Sequence, residues 1–158
     1  MKLTKTCLIV PLFAILCACN NQANTENKIT NTQQTQEVKV TEAWARASVP
    51  GQTVGAAYMT LTSPQDSTLV NVQTPAADHS EIHSMTMDNG VMKMRMLEEL
   101  ALKAGEPEKL TPGGFHLMLI DLQKPLKAGE NVELRLCFKD TSGKITEQFV
   151  TVPVKEAE

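Results

Sequence analysis

An Asn89-Gly90 pair, flanked on both sides by alternating residues, constrains this chain more than any other feature. Asn-Gly tolerates positive φ at both positions, so it predicts a two-residue type I′ turn joining antiparallel strands at 81–87 and 91–97. The turn sets the register. Asp88 faces Val91, Met87 faces Met92, Met85 faces Met94, and His83 faces Met96. Strand alternation then puts His83, Met85, Met87, Met92, Met94 and Met96 on one side, with Ser84, Thr86, Lys93 and Arg95 on the other. A three-residue loop would shift the pairing by one and part His83 from Met94.

The rest of the folded part reads in the same idiom. Strands are expected at 38–44, 55–62, 67–74, 115–122, 130–139 and 145–152. Ser48-Val49-Pro50-Gly51, Ser63-Pro64 and Pro75 mark turns between them, and Pro153 suits the end of the last strand. Residues 98–114 read mostly as loop, with a short strand near 109–111. Seven to nine short strands without a helical period predict an all-β fold, an antiparallel Greek-key β-sandwich. In the 130–139 strand, Val132, Leu134, Leu136 and Phe138 face inward. Cys137 shares the outward face with Glu133, Arg135 and Lys139 as a tolerated thiol. Met59 reads as core and Trp44 as a packing anchor.

The methionine face calls for a chemical reason. A strand core normally selects Val, Ile or Leu, because β-branched residues suit the pleat. Methionine is a gap-filler, and a histidine buried among methionines needs a partner. Thioether sulfur is a soft, neutral donor that suits Cu(I), and imidazole suits copper, zinc and iron. A Met/His set without carboxylate or thiolate disfavours calcium, magnesium and structural zinc. His116-Leu117-Met118 supplies a second soft pair, both pointing one way from a strand. Met85, Met96 and His79 are auxiliary donors, His79 being otherwise a loop histidine. Met87 and Met92, beside the turn, are exposed donors suited to capturing or handing over metal. Imidazole ligation would make affinity fall below about pH 6.5, where protons compete for the rings. No Ser/His/Asp triad, acid/base carboxylate pair or phosphate-cradling loop stands out, so an enzyme is not expected.

The N-terminus is an address. Lys2 and Lys5 precede a mostly apolar run at 6–16 that is short for a bilayer span, followed by small residues, as in an export signal. Leu16-Cys17-Ala18-Cys19 resembles a lipobox, which would make residues 1–18 a lipoprotein signal peptide and Cys19 the lipidated first mature residue. Ordinary cleavage near Ala18, leaving Cys19 free, is the alternative. Residues 20–36 are almost wholly polar and rich in Asn, Gln and Thr, a flexible tether of roughly 25 Å average reach. The domain at 38–154 then follows, with a short tail at 155–158. Only Cys137 remains in the folded part, so no internal disulfide is available. Without Lys2 and Lys5, 13 basic residues stand against 18 acidic ones, a net charge of about −5. With no basic tract, nucleic acid is not an expected partner.

His83, Met94, His116 and Met118 follow the spacing His-x10-Met-x21-His-x-Met. With Trp44-Ala45-Arg46, Gly55-Ala56-Ala57-Tyr58-Met59 and Pro112-Gly113-Gly114-Phe115-His116, the pattern resembles the PCu(A)C copper chaperones over most of the mature domain. The resemblance implies a cupredoxin-like fold and one Cu(I) held by His83, Met94, His116 and Met118. It also implies delivery of copper to cytochrome c oxidase subunits, alongside Sco-type proteins. The chain would be a lipoprotein anchored to a membrane and facing the periplasm or the cell exterior. Ser84 stands where some members place a second methionine. The tail lacks the His/Met-rich extension that holds Cu(II) in others. The other readings are a lipid-anchored assembly module with a Met-rich interaction face, and a copper storage or tolerance protein.

Overall fold

The computed structural model describes residues 37–156. The signal segment, Cys19, the polar tether and residues 157–158 lie outside the described residues. Ten strands form: β1 Lys39–Arg46, β2 Val54–Thr62, β3 Ser67–Gln73, β4 Ala77–Asp88, β5 Val91–Leu97, β6 Leu100–Leu102, β7 Pro107–Leu110, β8 His116–Leu122, β9 Asn131–Asp140 and β10 Ile145–Lys155. Their lateral order is β5-β4-β8-β2-β1-β10-β9-β3-β6, with β7 paired to the far half of β2. The fold is all-β and mostly antiparallel. One pair, β1 with β10, runs parallel, so the sheet is mixed.

One core joins both halves of this path. Ile82, Leu117, Leu119, Met59 and Leu61 meet Leu69, Val72, Leu134, Leu136, Phe138, Val152 and Val154 in a single buried cluster. Alternation explains the membership of β9: Val132, Leu134, Leu136 and Phe138 all point inward. Gly55 lies at a close approach. A Cβ there would sit 3.2 Å from a Leu126 methyl.

Four sequence expectations change. The 98–114 stretch contains the unexpected strand β6, too short to show alternation in sequence, and the short strand expected near 109–111 forms as β7 at Pro107–Leu110; each pairs with a distant strand. The last strand does not stop at Pro153. It runs to Lys155, with Pro153 opposite Asn131 and Val154 beside Ala45. Cys137 faces away from the main core but is still buried. Burial first, then the Glu147 carboxylate, push its thiol pKa up, and Arg135 offsets this only partly. His79 belongs to β4 and not to a loop.

Candidate metal centre

The hairpin forms in the register set by Asn89-Gly90. Both residues have positive φ, 50° and 80°. Asp88 pairs with Val91, Met87 with Met92, Met85 with Met94 and His83 with Met96. On its other side β4 pairs with β8, which places His83 opposite His116 and Glu81 opposite Met118. β8 in turn pairs with β2, with Met118 opposite Ala56. Residues 33 positions apart in sequence thus become cross-strand neighbours.

The shared face is the outer one. Leu117 and Leu119, between and beyond His116 and Met118, point into the core at 0% exposure. His116 and Met118 therefore point away from it. An aromatic row covers this outer face. Trp44 packs on Tyr58 with centroids 4.6 Å apart, Tyr58 lies 6.5 Å from the His116 ring, and His116 lies 5.7 Å from His83. Arg46 sits over the Tyr58 ring at 5.6 Å. Burial raises the Tyr58 pKa, and Arg46 lowers it only in part, so the side chain stays a neutral phenol. His83 and His116 are 9% and 5% exposed.

Hydrogen bonds leave one nitrogen free on each imidazole. His116 Nδ1–H donates to the Gly114 carbonyl at 3.1 Å, which leaves Nε2 as the lone-pair nitrogen of the neutral ring. The same carbonyl accepts from the Met85 backbone N–H at 3.1 Å, so one turn fixes both β4 and the ring. Gly113 makes that turn with φ of 83°. His83 Nε2–H donates to Glu81 Oε2 at 2.7 Å. Its Nδ1 is buried and has no hydrogen-bond partner among the described residues. Such an orphan costs roughly 1–3 kcal/mol unless something else takes the lone pair. A ring that donates one N–H to a carboxylate or carbonyl and keeps the other nitrogen bare is the usual arrangement of a metal-binding histidine.

A cleft of about 360 Å³ opens over this region, lined by His116, Met118, Met94 and Met85 together with Arg46 and Tyr58. His83 lies beside it, against His116. Met94 is 45% exposed and so sits at the rim. Of the auxiliary donors, Met85 joins the cleft. Met96 is 59% exposed and outside it, and His79 is exposed in the row of Ile120, away from both imidazoles. Among the described residues no three His, Cys, Asp or Glu side chains converge, and the thioethers of Met85, Met94 and Met118 line the cleft with His116. Glu81 was not singled out from sequence, and Tyr58 stood only within the Gly55–Met59 block, with no role assigned. Register through β2 and β4 brings both beside the imidazoles.

Fold and side chains together define a cupredoxin-like domain with a thioether–imidazole cleft on its outer sheet face. The copper-bound PCuAC domain from PmoF2 has this fold, with a TM-score of 0.61 at 21% identity over 76% of this chain and 93% of its own. The solution structure of Cu(I)-DR1885 from Deinococcus radiodurans gives a TM-score of 0.54 at 33% identity, over 80% of this chain and 85% of its own. A family model described as "Putative lipoprotein LpqE-like" matches residues 38–154, and the chain belongs to that family. The putative lipoprotein Lxx21020 of Leifsonia xyli subsp. xyli is 31% identical over 125 residues, which is 78% of this chain and 73% of the relative.

Proposed function

We propose that the domain carries one Cu(I) on His83 Nδ1, His116 Nε2 and the Met94 and Met118 sulfurs, and passes it to acceptor proteins. The pair of buried imidazoles, each with one nitrogen engaged and one bare, carries this reading. The thioethers of Met94 and Met118 complete a neutral set that matches a soft monovalent ion. The likeness to a Cu(I)-bound DR1885 domain at 33% identity supports the same ion. Neutral donors at the rim of a cleft suit transfer, because an incoming ligand can replace them one at a time. Cys137 is no competitor: its raised pKa keeps it a thiol, and it lies on β9, in the other half of the strand order.

The acceptors are copper centres of cytochrome c oxidase, with Sco-type proteins as co-workers. Cys19 ties the domain to a membrane in an exported compartment, as membership of a lipoprotein family supports. The chain acts as a carrier, not an enzyme. X-ray absorption on the Cu(I) form should count two sulfur and two nitrogen neighbours. Met94→Leu with Met118→Leu should abolish stoichiometric copper and leave the fold intact. Full retention of copper in that double variant would sink the proposal.

A further inference from the structure

We propose that Met87 and Met92 form a second, outer Cu(I) station at the hairpin tip, where the ion lands before moving to the histidine site. The relay rests on the Cu(I) reading above and adds a site to it. The residues are placed for it. In a hairpin with a two-residue turn, the flanking pair Asp88/Val91 is the hydrogen-bonded one. Alternation then puts Met87/Met92, Met85/Met94 and His83/Met96 at the non-hydrogen-bonded positions, where facing side chains come closest. Opposed Cβ atoms there lie about 4.5–5.5 Å apart, within reach of two flexible thioethers sharing one ion.

Packing does not account for these methionines. Met87 is 65% exposed and Met92 50%, and β5 is exposed from Val91 to Met96. Neither residue belongs to the buried cluster, so the gap-filling use of methionine does not apply. The other face of the same hairpin carries Ser84, Thr86, Asp88, Lys93 and Arg95 with a single apolar residue, Val91, so the methionines are confined to one side. The Lys93 ammonium is paired with the Asp88 carboxylate, so its charge is offset near an arriving cation.

The tip also lies on a route. Met85 and Met94 line the cleft, and Met87/Met92 are the next pair outward on the same face. Two residues of strand span about 7 Å, so each move between rows is short. The ion travels as Cu(I) throughout. Thioethers exchange one for another, with no change of charge or oxidation state.

The test uses the full chain, Ag(I) as a diamagnetic stand-in for Cu(I), and the methyl signals of the methionines. The first equivalent should shift Met94, Met118 and the His116 ring. The second should shift Met87 and Met92 together. Met87→Leu with Met92→Leu, both surface changes, should lose the second equivalent and keep the first. The same variant should fill the inner site several-fold more slowly from a Cu(I)–glutathione donor. Silent Met87 and Met92 methyls through two equivalents, a second equivalent surviving in the variant, or an unchanged filling rate would each overturn the station. A response at the tip with none at His116 or Met118 would instead uphold the outer site and remove the inner one.

Discussion

At the scale of single residues, Glu81 sets the ring orientation and tautomer of His83, the ligand proposed above. Its carboxylate accepts a hydrogen bond from the Nε2–H at 2.7 Å, which fixes the tautomer and raises the electron density left on Nδ1. Glu81 is half-buried and stands opposite Met118 in the β4–β8 register. Replacing it with Gln keeps the shape and removes the charge. Glu81→Gln should weaken Cu(I) binding by about 10–100-fold, the usual cost of losing such a supporting group. Competition against a chromophoric Cu(I) chelator reads this directly, and an unchanged affinity would show that Glu81 does not orient the ring. The melting temperature should move little, because Glu81 is half-buried and outside the core cluster.

At the scale of elements, two turns carry separate burdens. The Asn89-Gly90 turn holds the thioether register, and Gly90 sits at a φ of 80° with open space around it. A Cβ there clashes with nothing but must adopt the left-handed region, at a cost of about 1–2 kcal/mol. Gly90→Ala should therefore raise hydrogen exchange in β4 and β5 near the tip and leave the core amides protected. Exchange unchanged at the tip would mean that the turn does not set local stability. The β9–β10 turn is held by Asp140. Its carboxylate accepts from the Ser142 hydroxyl and from the Ser142 and Lys144 backbone N–H groups. The Ser142 hydroxyl bond is the largest cause of a pKa held below the ordinary carboxylate value. A lowered folded pKa means that folding disfavours the proton. The turn's contribution is present above the ordinary carboxylate range near 4 and fades as pH falls through the lower folded value. Asp140→Ala should flatten the acid side of a melting-temperature profile against pH. Parallel profiles for the two proteins would contradict that account.

At the scale of the whole molecule, the site is the outer skin of the core. Leu117 lies between His116 and Met118 on β8 and is fully buried against the common cluster. The strand cannot present its two donors outward unless Leu117 stays anchored inward. Leu117→Ala should cost about 2–5 kcal/mol by urea unfolding, as for other buried leucines. It should also weaken copper binding, because β8 gains freedom. Loss of stability with full-strength copper binding would show that site and core are independent.

The Asn-Gly turn, the period-2 sorting of residues 81–97 and the alternation of residues 130–139 were legible in the chain because each depends on neighbours a few positions away. From them came the all-β class, the hairpin register and the candidate donors. The pairing of β4 with β8, which brings His83 to His116, rests on contacts across more than 30 residues, and local pattern holds no record of it. The short strand β6, the partner of β7, the parallel pairing of β1 with β10 and the burial of Cys137 were hidden for the same reason. Sequence alone placed soft donors on strands. Tertiary structure decided which side faced the core, set Tyr58 beside His116, and left one nitrogen of each ring bare, because those outcomes depend on which distant strands lie side by side.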